Sequence, residues 1–297
     1  MSRQQRAQID AIMRRPRPEA RTVAEMRAGF AASRATTTVP SGIRTTETTL
    51  GGRRALLVEP ADRQRPGTIL YLHGGAWALG SPETSLALTA HLVVRTGMRA
   101  LSLDYRLAPE NPFPAANHDT VAAYRALLDN GENPAGIAVV GDSAGGGLSV
   151  TSLLAARDEG LPMPAAVVAF SGGFDATLSA PSMDSKAGID PLFTRESLGA
   201  ALRMYCDGQD LRQPLLSPAI SADFSGFPPM LLQAGTNEVL LDDSTRLASR
   251  AIGAGVDVIL DVTADVPHAF QNFAGVLDEA GQALDLAAFF LTRHVVA

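Results

Sequence analysis

Cysteine is almost missing from this chain of 297 residues: Cys206 stands alone, so no disulfide can close within the chain, and no Cys/His spacing of a zinc site occurs. That scarcity fits a reducing compartment. No apolar run reaches the roughly 18–20 residues needed to span a bilayer, and the N-terminus lacks the apolar stretch of a secretory signal. A cytoplasmic protein with no membrane span is therefore expected. A basic surplus is missing too. The net charge is −6, and Arg3, Arg6, Arg14, Arg15, Arg17 and Arg21 share their segment with Asp10, Glu19 and Glu25. Nucleic-acid binding requires a basic surface and is not expected. Internal repeats and low-complexity stretches are also absent.

What the chain does have is apolar residues, 46% of the total against 19% charged, enough for a large core in one domain over residues 1–297. Residues 1–38 show helical spacing (Ile9, Ile12, Met13, then Val23, Met26, Phe30), interrupted by the prolines of "RRPRPEA". Two short helices outside the main fold are expected there. "IRTTETTLGGRRALLVEP" then alternates, pauses at Gly51-Gly52 and resumes, which predicts a two-strand hairpin. Buried-strand runs follow at "GTILYLH", "MRALSLDY", "GIAVVG", "AAVVAFS", "PMLLQAG" and "VDVILDV", with helical segments at 84–96, 115–129, 145–158 and 241–254 among them. Such alternation implies βαβ units: an α/β fold with a mostly parallel sheet covered on both faces and the hairpin as an antiparallel edge. Residues 175–228 exceed a simple crossover and contain a helix-like "TRESLGAALRMYC"; with the N-terminal helices they are expected to form part of a lid.

In open sheets of this kind, sites form at the carboxyl ends of strands. "VVGDSAGGG" puts Ser143 two residues beyond an apolar run and ahead of a helix, the setting of a nucleophile elbow. By itself a Gly-x-Ser-x-Gly turn serves equally well as a structural or phosphate-binding loop. "YLHGGAW" ends another strand with Gly74-Gly75, whose amides are free of side-chain obstruction and suited to an oxyanion; His73 is read as ordering that loop and Trp77 as packing on a helix. Of the remaining histidines, His91 and His294 fall in helices, and His118 precedes a helix with Asp119 as its cap. His268 follows the last strand through a short loop and is the candidate base. The candidate acids are Glu238, Asp242 and Asp243; Glu238 lies nearest its strand end and is preferred, and Asp242 or Asp243 reads as an N-cap. Asp104, Arg106 and Glu110 of "DYRLAPE" are read as one ion-pair cluster beneath the elbow, and Asp142 as a loop anchor.

Taken in order, "HGGAW", "DYRLAPE", "GDSAGG" and "VPHAFQ" resemble the bacterial hormone-sensitive-lipase family of α/β-hydrolase esterases over the whole chain. The resemblance implies an α/β-hydrolase fold of about eight strands with a helical cap built from 1–38 and part of 175–228. It implies Ser143 as nucleophile, His268 as base and Glu238 as acid, the last in an acid-x-Leu-x-Asp pattern through Leu240 and Asp242. Oxyanion amides would come from Gly74, Gly75 and Ala144. The implied activity is hydrolysis of short to medium acyl esters through an acyl-enzyme, with a small-molecule ester as partner, no metal and no organic cofactor; a homodimer stays open. Two departures are visible. Ala76 replaces a third glycine, which is tolerated unless that position needs positive φ. The acid is Glu where many relatives carry Asp, next to Asn237. An aryl formamidase shares this triad type, and a non-catalytic receptor shares the fold but typically lacks the histidine that His268 supplies.

Overall fold

A computed structural model describes residues 2–16, 22–62 and 64–296 of the chain. Two helices come first, α1 (Ser2–Met13) and α2 (Val23–Arg34), the second closed by a capping box in which Thr22 and Glu25 exchange hydrogen bonds. Helix α1 stops ahead of Pro16; Pro18 lies outside the described residues. The hairpin follows as β1 (Ile43–Leu50) and β2 (Arg53–Pro60), turning at Gly51-Gly52. Then come β3 (Thr68–Leu72), α3 (Leu86–Thr96), β4 (Arg99–Leu103), α4 (Ala115–Asp129), β5 (Ile137–Asp142), α5 (Ala144–Asp158) and β6 (Ala166–Phe170). Beyond β6 lie the short α6 (Ser182–Ser185), α7 (Arg195–Cys206) and α8 (Pro218–Ser221), before β7 (Met230–Asn237), α9 (Leu241–Gly253), β8 (Val258–Pro267) and α10 (Asp278–His294).

The strands form one eight-stranded sheet in the order β1-β2-β4-β3-β5-β6-β7-β8, antiparallel only at β1-β2 and β2-β4. Its central strands are buried on both faces, so they read as unbroken apolar runs. Period-two geometry nevertheless sorts them: Leu70 and Leu72 join α4, α5 and α9 in one core, Ile69 and Tyr71 join α3 and α10 in the other. Chain order reverses direction across the sheet between β3 and β5, opening a crevice at their carboxyl ends.

Three local expectations need correction. β8 continues past the expected 256–262 to Pro267, because a bulge between Gly235 and Asn237 lets pairing resume at Asn237 and Pro267; no loop separates the strand from His268. Asp104, Arg106 and Glu110 do not pair with one another. Their segment leaves β4 between three elements, and Asp104 meets Arg54 of β2 at 3.4 Å, Arg106 meets Asp119 of α4 at 2.7 Å, and Glu110 meets Arg27 of α2 at 2.6 Å. Asp119 therefore lies inside α4 and does not cap it; His118 is exposed on the same turn.

Among the described residues no helix is long and apolar enough to cross a membrane. Cys206, at the end of α7, is buried, and burial pushes its thiol up to about 11. Its reaction with a disulfide reagent near pH 8 should be at least about 100-fold slower in the native protein than in guanidinium, because so little thiolate is present. Equal rates, followed by absorbance, would contradict this packing of α7.

Candidate active site

The turn from β5 into α5 is as tight as covalent geometry permits. A Cβ on Gly145 would sit 1.9 Å from the carbonyl oxygen of Leu72, and one on Gly141 would sit 2.3 Å from the backbone of Gly145. Only glycine allows the start of α5 to press on the ends of β3 and β5 in this way. Ser143 is held at the apex with φ +54° and ψ −118°, a strained conformation for a residue with a side chain. Its N–H donates to Phe170 O at 2.8 Å.

The other two expected residues arrive from the neighbouring strand ends. Glu238 immediately follows β7 and His268 immediately follows β8. His268 Nε2 lies 2.9 Å from Ser143 Oγ, and His268 Nδ1 lies 2.7 Å from Glu238 Oε2. Glu238 is wholly buried and His268 is 3% exposed. A buried carboxylate is tolerable only when its lone pairs are used. Here Glu238 Oε1 accepts the Gly235 N–H at 2.6 Å and the Ser171 hydroxyl at 3.0 Å.

Several supporting residues carry no motif. Ser171, at the end of β6, also accepts the Ala269 N–H at 2.9 Å, so one hydroxyl braces both Glu238 and the His268 segment. Asp190 Oδ2 accepts the Val239 N–H at 2.9 Å while its Oδ1 takes the amides of Leu192 and Phe193. This fixes Phe193, whose ring meets the His268 ring edge-on at 4.9 Å. Being the residue after a strand was the one available signal for Ser171; Asp190 had none.

The glycine loop after β3 is anchored by Asp142. Its Oδ1 accepts the Tyr71 hydroxyl at 2.7 Å and the Gly74 N–H at 2.9 Å. Gly74, expected as an oxyanion donor, is thus corrected: its only N–H is already committed. The amides of Gly75, Ala76 and Ala144 donate to no group among the described residues, and Ala76 and Ala144 line a cavity with Ser143. Ala76 does need positive φ (+53°), as does Trp77 (+58°), so the alanine replaces glycine at some conformational cost. His73 is buried, stacks on Tyr105 at 4.2 Å and bonds Gly74 O through Nδ1 at 2.9 Å; burial lowers its pKa and keeps it neutral. Trp77 stacks on Tyr205 of α7 at 4.7 Å.

Neither remaining acid is an N-cap. Helix α9 begins after Leu240; Asp242 lies in its first turn with Oδ1 on the Thr245 hydroxyl at 3.1 Å, and Asp243 turns away to bond the amides of Phe174 and Asp175.

Two cavities flank the serine and histidine. A narrow one of about 30 Å³ is bounded by Ser143, the Ala76-Trp77 turn and residues of 175–216. A wide one of about 370 Å³ is bounded by His268 and by Ile9, Met13 and Phe30 of α1 and α2.

A serine elbow on β5, a histidine after β8 and an acid after β7 define the α/β-hydrolase class, and the model of the alpha/beta hydrolase fold family matches residues 69–272. An esterase from the bacterial hormone-sensitive-lipase family superposes over 99% of both chains with TM-score 0.94 and 38% identity. A hormone-sensitive lipase from a metagenome library gives 0.95 at 40% identity, over 100% of this chain and 99% of the other. An acetyl-hydrolase of Streptomyces hygroscopicus is 42% identical over 82% of this chain and 81% of its own. The chain belongs to the bacterial hormone-sensitive-lipase family of α/β hydrolases.

The strain at the elbow is measurable. Ser143→Gly should raise thermal stability by about 1 kcal/mol, the relief at φ +54° exceeding glycine's added chain entropy. Gly145→Ala should cost about 3 kcal/mol through its clash with Leu72 O. Opposite signs in calorimetry are the expected result.

Proposed function

We propose that this protein hydrolyses carboxylic esters with short acyl groups through a Ser143-His268-Glu238 triad. The contacts of 2.9 Å and 2.7 Å that join the three side chains carry this reading. Ser143 Oγ attacks the ester carbon while His268 Nε2 takes its proton, and the carbonyl electron pair moves onto oxygen. The amides of Gly75, Ala76 and Ala144 hold that oxyanion, aided by the positive N-terminal end of α5. Glu238 stabilises the imidazolium and fixes the ring so that Nε2 faces the serine. Collapse of the tetrahedral adduct breaks the bond to the alcohol oxygen, which receives the proton from His268 and leaves an acyl group on Ser143. Water, deprotonated by the same nitrogen, then attacks the acyl carbon and releases the acid, and the proton returns to Ser143.

The two cavities take different halves of the ester. The leaving oxygen must come within reach of His268, which lines the wide cavity, so the alcohol portion belongs there. The acyl portion then enters the narrow cavity on the oxyanion side. At about 30 Å³ against about 370 Å³, the narrow cavity suits the smaller half of the ester, a short acyl group. An acetyl-hydrolase among the relatives agrees with short chains. Helices α1 and α2 and the 175–228 region act as the cap over these cavities.

Ser143→Ala should remain folded and lose at least about 10³-fold in kcat/KM on nitrophenyl acetate. Glu238→Gln should lower kcat about 10²–10⁴-fold with little change in KM. Asp242→Asn should keep near-normal turnover and lose only about 0.3–1 kcal/mol of stability at the start of α9. Normal activity in folded Ser143→Ala would sink the mechanism, and the reverse pattern for the two acids would reassign the third member. Activity should fall from butyryl to octanoyl esters.

Removal of residues 1–35 tests the cap. It should lower turnover and solubility, because Ile9, Met13 and Phe30 no longer cover the apolar wall beside His268. An unchanged rate and chain-length profile would refute that role.

A further inference from the structure

The narrow cavity is apolar on most of its wall, with Trp77, Phe193, Leu198, Leu202 and Leu216 among its lining residues. Two carboxyl groups interrupt it, Asp175 and Asp243, and they are not equivalent. Asp175 is fully engaged. Its Oδ1 accepts the Thr177 N–H at 2.9 Å and hydroxyl at 2.5 Å, and its Oδ2 accepts the Ser179 N–H at 3.1 Å, the Ser179 hydroxyl at 2.7 Å and the Arg246 guanidinium at 3.0 Å.

Asp243 is 1% exposed and uses one oxygen only. Its Oδ2 accepts the Phe174 N–H at 2.7 Å and the Asp175 N–H at 2.9 Å. Its Oδ1 is buried with no hydrogen-bond partner among the described residues. Asp243 lines the cavity, and Oδ1 is its one oxygen without a partner among those residues. The asymmetry matters, because a buried polar atom without a partner is costly and is seldom left so without a role. Structural duty explains Oδ2 and says nothing of Oδ1.

The chemistry that would meet Oδ1 is narrow. Burial and the nearby Asp175 raise the Asp243 pKa well above the carboxylate range, so both protonation states have to be served. A carboxylate oxygen only accepts, and a carboxyl O–H donates. A substrate hydroxyl can donate to the first and accept from the second. A methyl group does neither, and an ammonium group suits only the first state.

We propose that Asp243 Oδ1 recognises a hydroxyl on the acyl chain, so that short hydroxyacyl esters are preferred over their alkyl counterparts. The inference rests on the assignment of the narrow cavity to the acyl group. It adds a specificity-determining residue to the triad, lying on α9 only a few positions beyond Glu238.

Two ester pairs test it, each exchanging a terminal hydroxyl for a methyl: ethyl glycolate against ethyl propionate, and ethyl 3-hydroxypropionate against ethyl butyrate. The readout is the hydroxy-to-methyl ratio of kcat/KM, divided by the same ratio for hydroxide-catalysed hydrolysis to remove intrinsic reactivity. The wild-type ratio should be at least about tenfold in one pair, as expected where a site hydrogen-bonds a substrate hydroxyl. Asp243→Asn keeps the oxygen that accepts the two amides and puts a donor at the open position, as the protonated carboxyl does; the ratio should stay above about threefold. Asp243→Leu should bring it to about one or below. Each ratio is taken within one preparation, so partial unfolding of a variant cancels, and the wild-type ratio stands even where Asp243→Leu does not fold. A wild-type ratio below about threefold in both pairs, or an Asp243→Leu ratio equal to that of the wild type, overturns the inference while turnover of nitrophenyl acetate leaves the esterase reading intact. Absence of turnover on nitrophenyl acetate as well would sink that reading.

Discussion

The close approach of α5 to the ends of β3 and β5 is the constraint on which the site depends. With a would-be Cβ of Gly145 at 1.9 Å from Leu72 O, there is no slack between helix and sheet. That contact fixes where α5 starts, and hence where Ser143 projects and where the Ala144 amide points. It also brings Asp142, the last residue of β5, against the loop after β3, where its carboxylate holds Gly74 N–H and Tyr71 OH. One glycine contact therefore sets both Ser143 and the loop bearing the free amides of Gly75 and Ala76. The strain at Ser143, Ala76 and Trp77, all at positive φ, is tolerated because the surrounding sheet is buried on both faces and cannot relax locally.

The second organising feature is the treatment of buried charge. Glu238 is sealed from water, so its lone pairs must be met within the protein. Gly235 N–H and Ser171 OH occupy Oε1, leaving Oε2 for His268. The same Ser171 oxygen accepts from Ala269, so the orientation of the imidazole and the position of its acid are fixed by one shared side chain. For the proposed mechanism such an arrangement is preorganised: little would have to move as charge developed on the ring. Asp243 follows the opposite pattern, satisfied on one oxygen and open on the other.

How much of this was legible in the sequence follows from what each feature depends on. The strands, the hairpin and helices such as α4 were readable because periodicity and flanking turns are local properties. Ser143, Glu238 and His268 could be singled out because each directly follows a strand, and in a parallel sheet strand ends converge. Which glycine amide is free could not be read. That depends on Asp142, 68 positions from Gly74, and the two adjacent glycines look alike in sequence. The pairing of "DYRLAPE" was misread for a similar reason. Nearby charges suggest mutual contact, yet the partners lie on β2, α4 and α2. β8 ran longer than its apolar run because residues of β8 between Thr263 and Pro267 bulge out opposite Gly235 to Asn237, after which pairing resumes at Pro267. The first-turn aspartates of α9 resembled caps, although Asp243 serves a loop 69 positions earlier.

The two sides of His268 are held by different physics. The narrow side is formed by residues of the α7 region packed into the main core, including Leu198, Leu202 and Leu216, so its shape is part of the fold. The wide side is closed by α1 and α2, of which only Ile9 is fully buried. These helices are tethered mainly by guanidinium groups: Arg27 bonds Ala78 O, Ala108 O and both oxygens of Glu110, and Arg14 bonds Ile189 O at 2.6 Å. Half-exposed ion pairs contribute little to stability and weaken with salt, whereas core packing does neither. In the proposed reaction the acyl group thus meets a rigid wall and the alcohol a weakly attached one. Selectivity for the proposed acyl portion should accordingly be sharp and hard to alter without unfolding the core, while the alcohol portion, beside α1 and α2, should tolerate wider variation in size.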